Sequence, residues 1–108
     1  MCLEYLGKKV KIIIDQPYGT VYKNIMYQYN YGFIPGTTAS DGDALDAYFI
    51  GPQEPLKEAG GICVAIIHRL EDDDDKLIIV PEGKYLSDEE IENAVNFVEK
   101  FFKHEIVR

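Results

Sequence analysis

Three aspartates, Asp41, Asp43 and Asp46, lie within a short stretch of chain around an Asp-Gly step. Like charges this close repel one another, and a cation placed among them relieves the repulsion. Carboxylate oxygens are the ligands that hard divalent cations such as Mg2+ prefer in proteins. The segment therefore predicts a divalent metal site.

The same segment also has a simpler interpretation. Asp-Gly is a common turn, and the other two aspartates can be solvated loop residues. A calcium-binding EF-hand loop is excluded, because it requires Gly at its sixth position and Glu at its twelfth, where counting from Asp41 gives Asp46 and Pro52. Taken alone, the motif leaves a metal site and a plain turn both open.

A second acidic run, 71–75, comes directly before Lys76. Runs of this kind are usually solvated loops. If the run is extended, however, Asp72, Asp74 and Lys76 share one face, since side chains alternate along a strand. That face would offer two metal ligands and one cation for a phosphate group.

Tyr27, Tyr29 and Tyr31 are spaced two residues apart, which places their rings on one face if 27–33 is a strand. Such a face is often the edge of a core, with the hydroxyls in water. It can also present phenol donors to an anionic ligand, or rings on which nucleic acid bases stack.

Apolar and alternating runs predict further strands at 9–15, 47–51, 62–68 and 77–80. Ser87 and Glu90 form a capping box, and apolar residues at helical spacing predict a helix from there to about His104. Strands followed by a late helix favour a small antiparallel sheet or barrel with the helix packed against it.

Composition limits the class of protein. The 108 residues, 46% of them hydrophobic, predict one globular domain spanning 1–108. The net charge of -8, with 11 basic against 19 acidic residues, argues against nucleic acid as a partner. We find no apolar run long enough for a membrane span and no signal peptide, and Cys2 and Cys63 do not form a disulfide framework, so we expect a cytoplasmic protein.

Three segments, 27–37, 41–47 and the acidic loop ending at 76–81, resemble those of the soluble family I inorganic pyrophosphatases. The resemblance runs over roughly 10–103. It implies a mainly β fold with one C-terminal helix, built as a small OB-like five-stranded barrel with the helix packed outside. It also implies hydrolysis of inorganic diphosphate to two phosphates with Mg2+, Mn2+ or another divalent cation, in a homo-oligomer.

The resemblance also implies residue roles. Asp41 and Asp46 match metal ligands, Asp43 matches the acid that orients or deprotonates the attacking water, and Asp74 and Lys76 match a metal ligand and a phosphate-binding lysine. In the family a further loop ligand completes the set. The remaining matches are Asp72 or Glu71 for that ligand, Tyr27 and Tyr31 beside phosphate, and Asp15 for an acid near the first strand.

The sequence departs from the family pattern in its phosphate-binding half. A hairpin that supplies basic residues after the first strand is predicted to be missing, which leaves Lys23 as the one basic residue of that segment. Near the C-terminal helix, Phe101 and Phe102 stand where a tyrosine is usual, and Lys103 is the matching lysine. A module that binds metal, phosphate or a protein partner without efficient catalysis is therefore the alternative to an enzyme.

Overall fold

The computed structural model describes residues 2–39 and 42–108, and its order is eight strands with one α-helix before the last strand. A short 3-10 helix, Leu3–Tyr5, precedes them. The elements are β1 Lys9–Gln16, β2 Val21–Tyr22, β3 Ile25–Met26, β4 Asn30–Phe33, β5 Asp46–Phe49, β6 Glu58–Arg69, β7 Asp75–Val80, α1 Asp88–Glu99 and β8 His104–Val107.

Five strands form a closed ring in the order β1-β4-β5-β7-β6, and β6 pairs back onto β1. All pairs in the ring are antiparallel except β5 with β7, which run parallel. The predicted fold class, mainly β with one helix near the C-terminus, is confirmed. The expectation of a purely antiparallel sheet is corrected by the parallel pair, which places the first residues of β5 and β7 side by side.

Two apolar clusters fill the two faces of this ring. One lies inside and takes residues from four of its strands, among them Ile12, Ala47, Ile66 and Leu77. The other lies between the outer face and α1, where Tyr48, Ile67 and Ile78 meet the apolar side of the helix. Because both faces are covered, every residue of β7 is buried, and its two charged residues, Asp75 and Lys76, stand at its first two positions.

The helix is shorter than predicted and ends at Glu99 instead of about His104. The capping box of Ser87 and Glu90 forms as expected. The residues beyond the helix are drawn into the sheet, because the second half of β6 has an open edge that β8 covers from Arg69 to Ile66. Within the described part of the chain, no helix is long and apolar enough to cross a membrane.

The segment after β1, predicted to be too short for the basic hairpin of the family, contains a miniature hairpin. Two residues of β2 pair with two of β3. Lys23 and Asn24 connect them with φ values of 52° and 65°, as two-residue hairpin turns require. The tyrosine-rich strand is also shorter than predicted, since β4 begins only at Asn30.

Candidate functional site

The first acidic segment is a loop between β4 and β5 that is tied at its base. The backbone N–H of Ile34 donates to the carbonyl of Leu45 at 2.8 Å. The hydroxyl of Thr37 donates to the Ile34 carbonyl at 2.6 Å and accepts from the N–H of Leu45 at 3.0 Å. These bonds fix the entry into β5 and hence the position of Asp46, its first residue.

The tip of this loop turns at Gly42, whose φ of +89° lies in the left-handed region that favours glycine. Its N–H donates to the carbonyl of Ala39, and the N–H of Ala39 donates to the carbonyl of Asp43 at 2.6 Å. The turn holds Asp43 on the same side as Asp46. Asp41, the first predicted ligand, lies outside the described residues.

Lys76 joins the two acidic segments. In the parallel pair of β5 and β7 it stands opposite Asp46. Its Nζ lies 2.7 Å from Asp46 Oδ2 and 2.7 Å from Asp74 Oδ2, and the residue is only 4% exposed. Asp74 and Lys76 therefore lie on one face, with a buried ammonium between two carboxylates.

A second buried cation, Arg69, was not predicted. It donates from Nε and Nη2 to the two carboxylate oxygens of Glu99 at 3.0 and 2.7 Å. Its guanidinium stacks 3.8 Å from the ring centre of Phe102, and Nη1 lies 3.8 Å from Asp74 Oδ2. These contacts fix the guanidinium in one orientation.

The buried position of Glu99 could have been recognised from the sequence. It follows Ile91 and Val95 at spacing four, so it continues the buried row of α1. A carboxylate in that row needs a buried partner. The structure supplies the Arg69 guanidinium and the Tyr48 hydroxyl, which donates to Glu99 at 2.6 Å.

Asp46, Asp43 and Arg69 face one cavity of about 580 Å3. It lies on the outer face of the ring, between the β2–β3 hairpin and the end of α1. The predicted site residues that line it are Asp15, Lys23, Tyr27, Tyr31, Asp43 and Asp46. Residues from widely separated segments thus meet at one opening.

Tyr31 is the tyrosine best placed to donate a hydrogen bond in the cavity. Burial, and then the negative charge of Asp46 and a hydrogen bond to it, raise the pKa of Tyr31 far above its ordinary value. The ring of Tyr27 packs 5.6 Å away, and burial raises its pKa as well. Both phenols keep their protons at neutral pH and act as hydrogen-bond donors.

The strand that carries Tyr31 approaches β1 very closely. A Cβ on Gly32 would lie 1.9 Å from the carbonyl oxygen of Ile13, so only glycine fits at this crossing. The close approach places Asp15, near the end of β1, at the same cavity. Burial, followed by the charge of Asp46, raises the pKa of Asp15, as expected for a partly desolvated carboxylate near another.

The carboxylates around the cavity fit a divalent cation in ligand type and in mutual repulsion. Among residues 2–39 and 42–108, however, no three His, Cys, Asp or Glu side chains converge closely enough to hold a metal. Asp46 and Asp74 are instead both paired with Lys76.

Three of the predicted site residues lie outside the cavity. Glu71, Asp72 and Lys103 are exposed, and none belongs to the described lining of the cavity. Asp72 instead accepts a hydrogen bond of 3.4 Å from the N–H of Asp74, and the carbonyl of Lys103 accepts from the N–H of Leu70. Both contacts shape the loop beside the site.

The family model of inorganic pyrophosphatase matches residues 3–107. The chain belongs to the inorganic pyrophosphatase family. Curated relatives include the inorganic pyrophosphatase of Nanoarchaeum equitans, 40% identical over 75% of this chain and 50% of its own length. Another is soluble inorganic pyrophosphatase 2 of Chlamydomonas reinhardtii, 33% identical over 76% of this chain and 50% of its own. The chain thus spans about half the length of these relatives.

Solved structures agree on the fold. The inorganic pyrophosphatase of Ehrlichia chaffeensis superposes with a TM-score of 0.71 at 19% identity, covering 93% of this chain and 85% of that one. The Thermus thermophilus enzyme gives a TM-score of 0.64 at 19% identity, covering 93% and 80%. A shorter chain therefore keeps the pyrophosphatase architecture.

Proposed function

We propose that this chain hydrolyses a phosphoanhydride bond, with inorganic diphosphate as the first substrate to test and a divalent cation, Mg2+ or Mn2+, as cofactor. The observation that carries the proposal is one cavity on which Asp15, Asp43 and Asp46 converge with a fixed guanidinium. Its relatives are named inorganic pyrophosphatases, which favours an enzyme over the module that binds without catalysis.

The metal would be held by Asp41 and Asp46, with Asp74, which shares Lys76 with Asp46, as a further proposed ligand. When bound, such a cation neutralises diphosphate and makes water more acidic. Asp72 or Glu71 remains the proposed further ligand. A loop that moves either side chain toward the cavity would be needed for that role, because both are exposed outside it.

The chain's own residues supply the remaining steps. Asp43 accepts a proton from the attacking water, since it is a carboxylate at the edge of the cavity on the same loop as Asp46. Arg69 and Tyr27 donate hydrogen bonds to phosphate oxygens, and Tyr31 exchanges its bond to Asp46 for one to phosphate. These donors stabilise the charge that develops on the leaving group. Lys76 holds Asp46 and Asp74 in place, and Lys23 and Lys103 are proposed to attract the anionic substrate.

Phosphate release from diphosphate with Mg2+ tests the proposal. We expect Asp43→Asn to lower the rate by about 10²- to 10⁴-fold, because the substitution keeps the shape but removes the proton acceptor. Glu89→Gln, at an exposed position in the first turn of α1, removes the same charge far from the cavity and should leave the rate unchanged. Equal rates for the wild type and Asp43→Asn would refute the role of Asp43.

A further inference from the structure

The residues that line the cavity fall into two chemically different halves. One half is polar and contains Asp15, Asp43, Asp46 and Arg69. The other half is apolar and aromatic, and it is lined by Tyr22, Ile25, Val98, Phe101 and Phe102. Diphosphate carries no apolar surface, so its hydrolysis gives no role to the second half.

The aromatic residues are exposed at the mouth of this cavity. Phe101 is 62% exposed, Tyr22 44% and Phe102 40%. They come from two separate segments, the β2–β3 hairpin and the turn after α1, and they converge on the same opening. Aromatic side chains so exposed around a concave site are typical of a surface that stacks against a flat ligand.

The aromatic half is joined to the polar half through Arg69. The guanidinium stacks on the ring of Phe102 while the same residue lines the polar wall. Lys23 Nζ lies 5.3 Å from the ring centre of Tyr22, which adds a cation at the rim. A ligand that combines a flat ring with phosphates therefore finds complementary groups in both halves of the lining.

The size of the cavity agrees with such a ligand. Its volume of about 580 Å3 falls within the range of about 300 to 1,000 Å3 found for pockets that bind drug-sized molecules. A cavity of this volume can take a nucleoside diphosphate, whereas inorganic diphosphate is much smaller.

We propose that the substrate of this site is a nucleoside diphosphate, whose phosphates lie in the polar half and whose base stacks on Phe101, Phe102 and Tyr22. The inference rests on the proposed function and specifies its substrate class. The water oxygen bonds to the terminal phosphorus, and the bond from that phosphorus to the bridging oxygen breaks. The nucleoside monophosphate leaves with the bridging oxygen, Asp43 takes the water proton, and the products are the monophosphate and inorganic phosphate.

The test compares ADP and diphosphate as substrates, with Mg2+, for the wild type and Phe101→Ala. Phe101 is chosen because Phe102 also supports Arg69. We expect ADP hydrolysis, and we expect Phe101→Ala to raise the KM for ADP at least about fivefold more than the KM for diphosphate, as the loss of one base–aromatic stack predicts. Phe101→Leu, which keeps the bulk and loses the flat ring, should behave like Phe101→Ala.

Tyr85→Ala provides the matched control, because Tyr85 is 73% exposed and is not among the described lining residues. It should change neither KM. Size-exclusion chromatography of each variant completes the test. A wild-type oligomer that Phe101→Ala converts to a monomer would show that the aromatic residues form an interface between copies, and it would overturn the substrate inference.

The outcomes separate this inference from the proposed function. Hydrolysis of diphosphate without hydrolysis of ADP overturns the substrate class and leaves the proposed function standing. An equal effect of Phe101→Ala on both substrates overturns the stacking role. Hydrolysis of neither substrate overturns the proposed function, and the substrate inference with it.

Discussion

Strands β6 and β7 carry a polar cluster on each of their two faces at the same end. The outer cluster consists of Arg69, Asp74 and Lys76, and its Arg69 lines the cavity and pairs with Glu99 at the end of α1. The inner cluster consists of His68 and Asp75, at the end of the ring interior, where Nδ1 of His68 lies 2.6 Å from Asp75 Oδ1. The two clusters are made from consecutive residues that alternate between faces.

The difference lies in how each cluster satisfies its charges. In the inner cluster Asp75 is enclosed by His68 and by the thiol of Cys2, whose Sγ is 3.5 Å from Oδ2. In the outer cluster two buried cations hold several acids beside an open cavity. The role of an acid in the 71–75 run therefore depends on the face of the sheet that its side chain occupies. We therefore expect outer substitutions to change activity and inner ones to change stability alone.

The largest effect should follow Glu99→Leu. The substitution leaves the buried Arg69 guanidinium without its two-bond partner, and breaking a buried ion pair on one side costs about 3 to 5 kcal/mol. We expect that decrease in the free energy of unfolding in urea, together with loss of hydrolysis.

The double variant Arg69→Met, Glu99→Leu sharpens this result. Removing both charges leaves no unpaired ion, so most of the stability should return, while hydrolysis should stay low because the guanidinium that faces the cavity is gone. Recovery of both properties would show that Arg69 supports the fold without acting in the site.

Lys76→Met should lower phosphate release by about 10²- to 10³-fold, the range seen when one preorganised hydrogen-bond donor is removed from an active site. It should also increase the rise in melting temperature on adding Mg2+, because Asp46 and Asp74 lose the ammonium that neutralises them. Lys84→Met, at an exposed position after β7, is the control. A response to Mg2+ equal to that of the wild type would contradict the shared role of these acids.

Asp75→Asn tests the inner cluster. Loss of a buried charged hydrogen-bond partner costs about 1.5 to 3 kcal/mol, so we expect that decrease in the free energy of unfolding, with the turnover of diphosphate unchanged. The neighbouring Asp74→Asn should do the reverse and lower turnover, since Asp74 faces Lys76 and Arg69. A similar loss of turnover in both variants would break the distinction between the two faces.

The smallest effect concerns pH. The hydrogen bond to Asp75 raises the pKa of His68 above its ordinary value of 6.5; burial opposes this, and the charges of Asp75 and Asp73 add to it. A pKa raised on folding adds stability that is complete below pH 6.5 and is lost as pH rises through the folded value. The melting temperature should therefore fall slightly above neutral pH, and His68→Gln should flatten this dependence.

The sequence by itself determined much of this molecule. Alternating and apolar runs located the main strands, and the capping box of Ser87 located the start of the helix. Asp43, Asp46, Asp74 and Lys76 were predicted as site residues from their spacing and from the family resemblance, and their roles stay predictions. These signals are local, because side-chain period and turn chemistry act over a few residues.

The tertiary structure alone decided the rest. It ended α1 at Glu99 because the open edge of β6 recruits the following residues as β8. It brought Arg69 to Glu99 across 30 positions of the chain, and it set Tyr22 and Phe101 around the same cavity as Asp46. Such contacts between distant residues depend on which strands pair and on which face of the sheet the helix covers. Packing of the whole chain determines both.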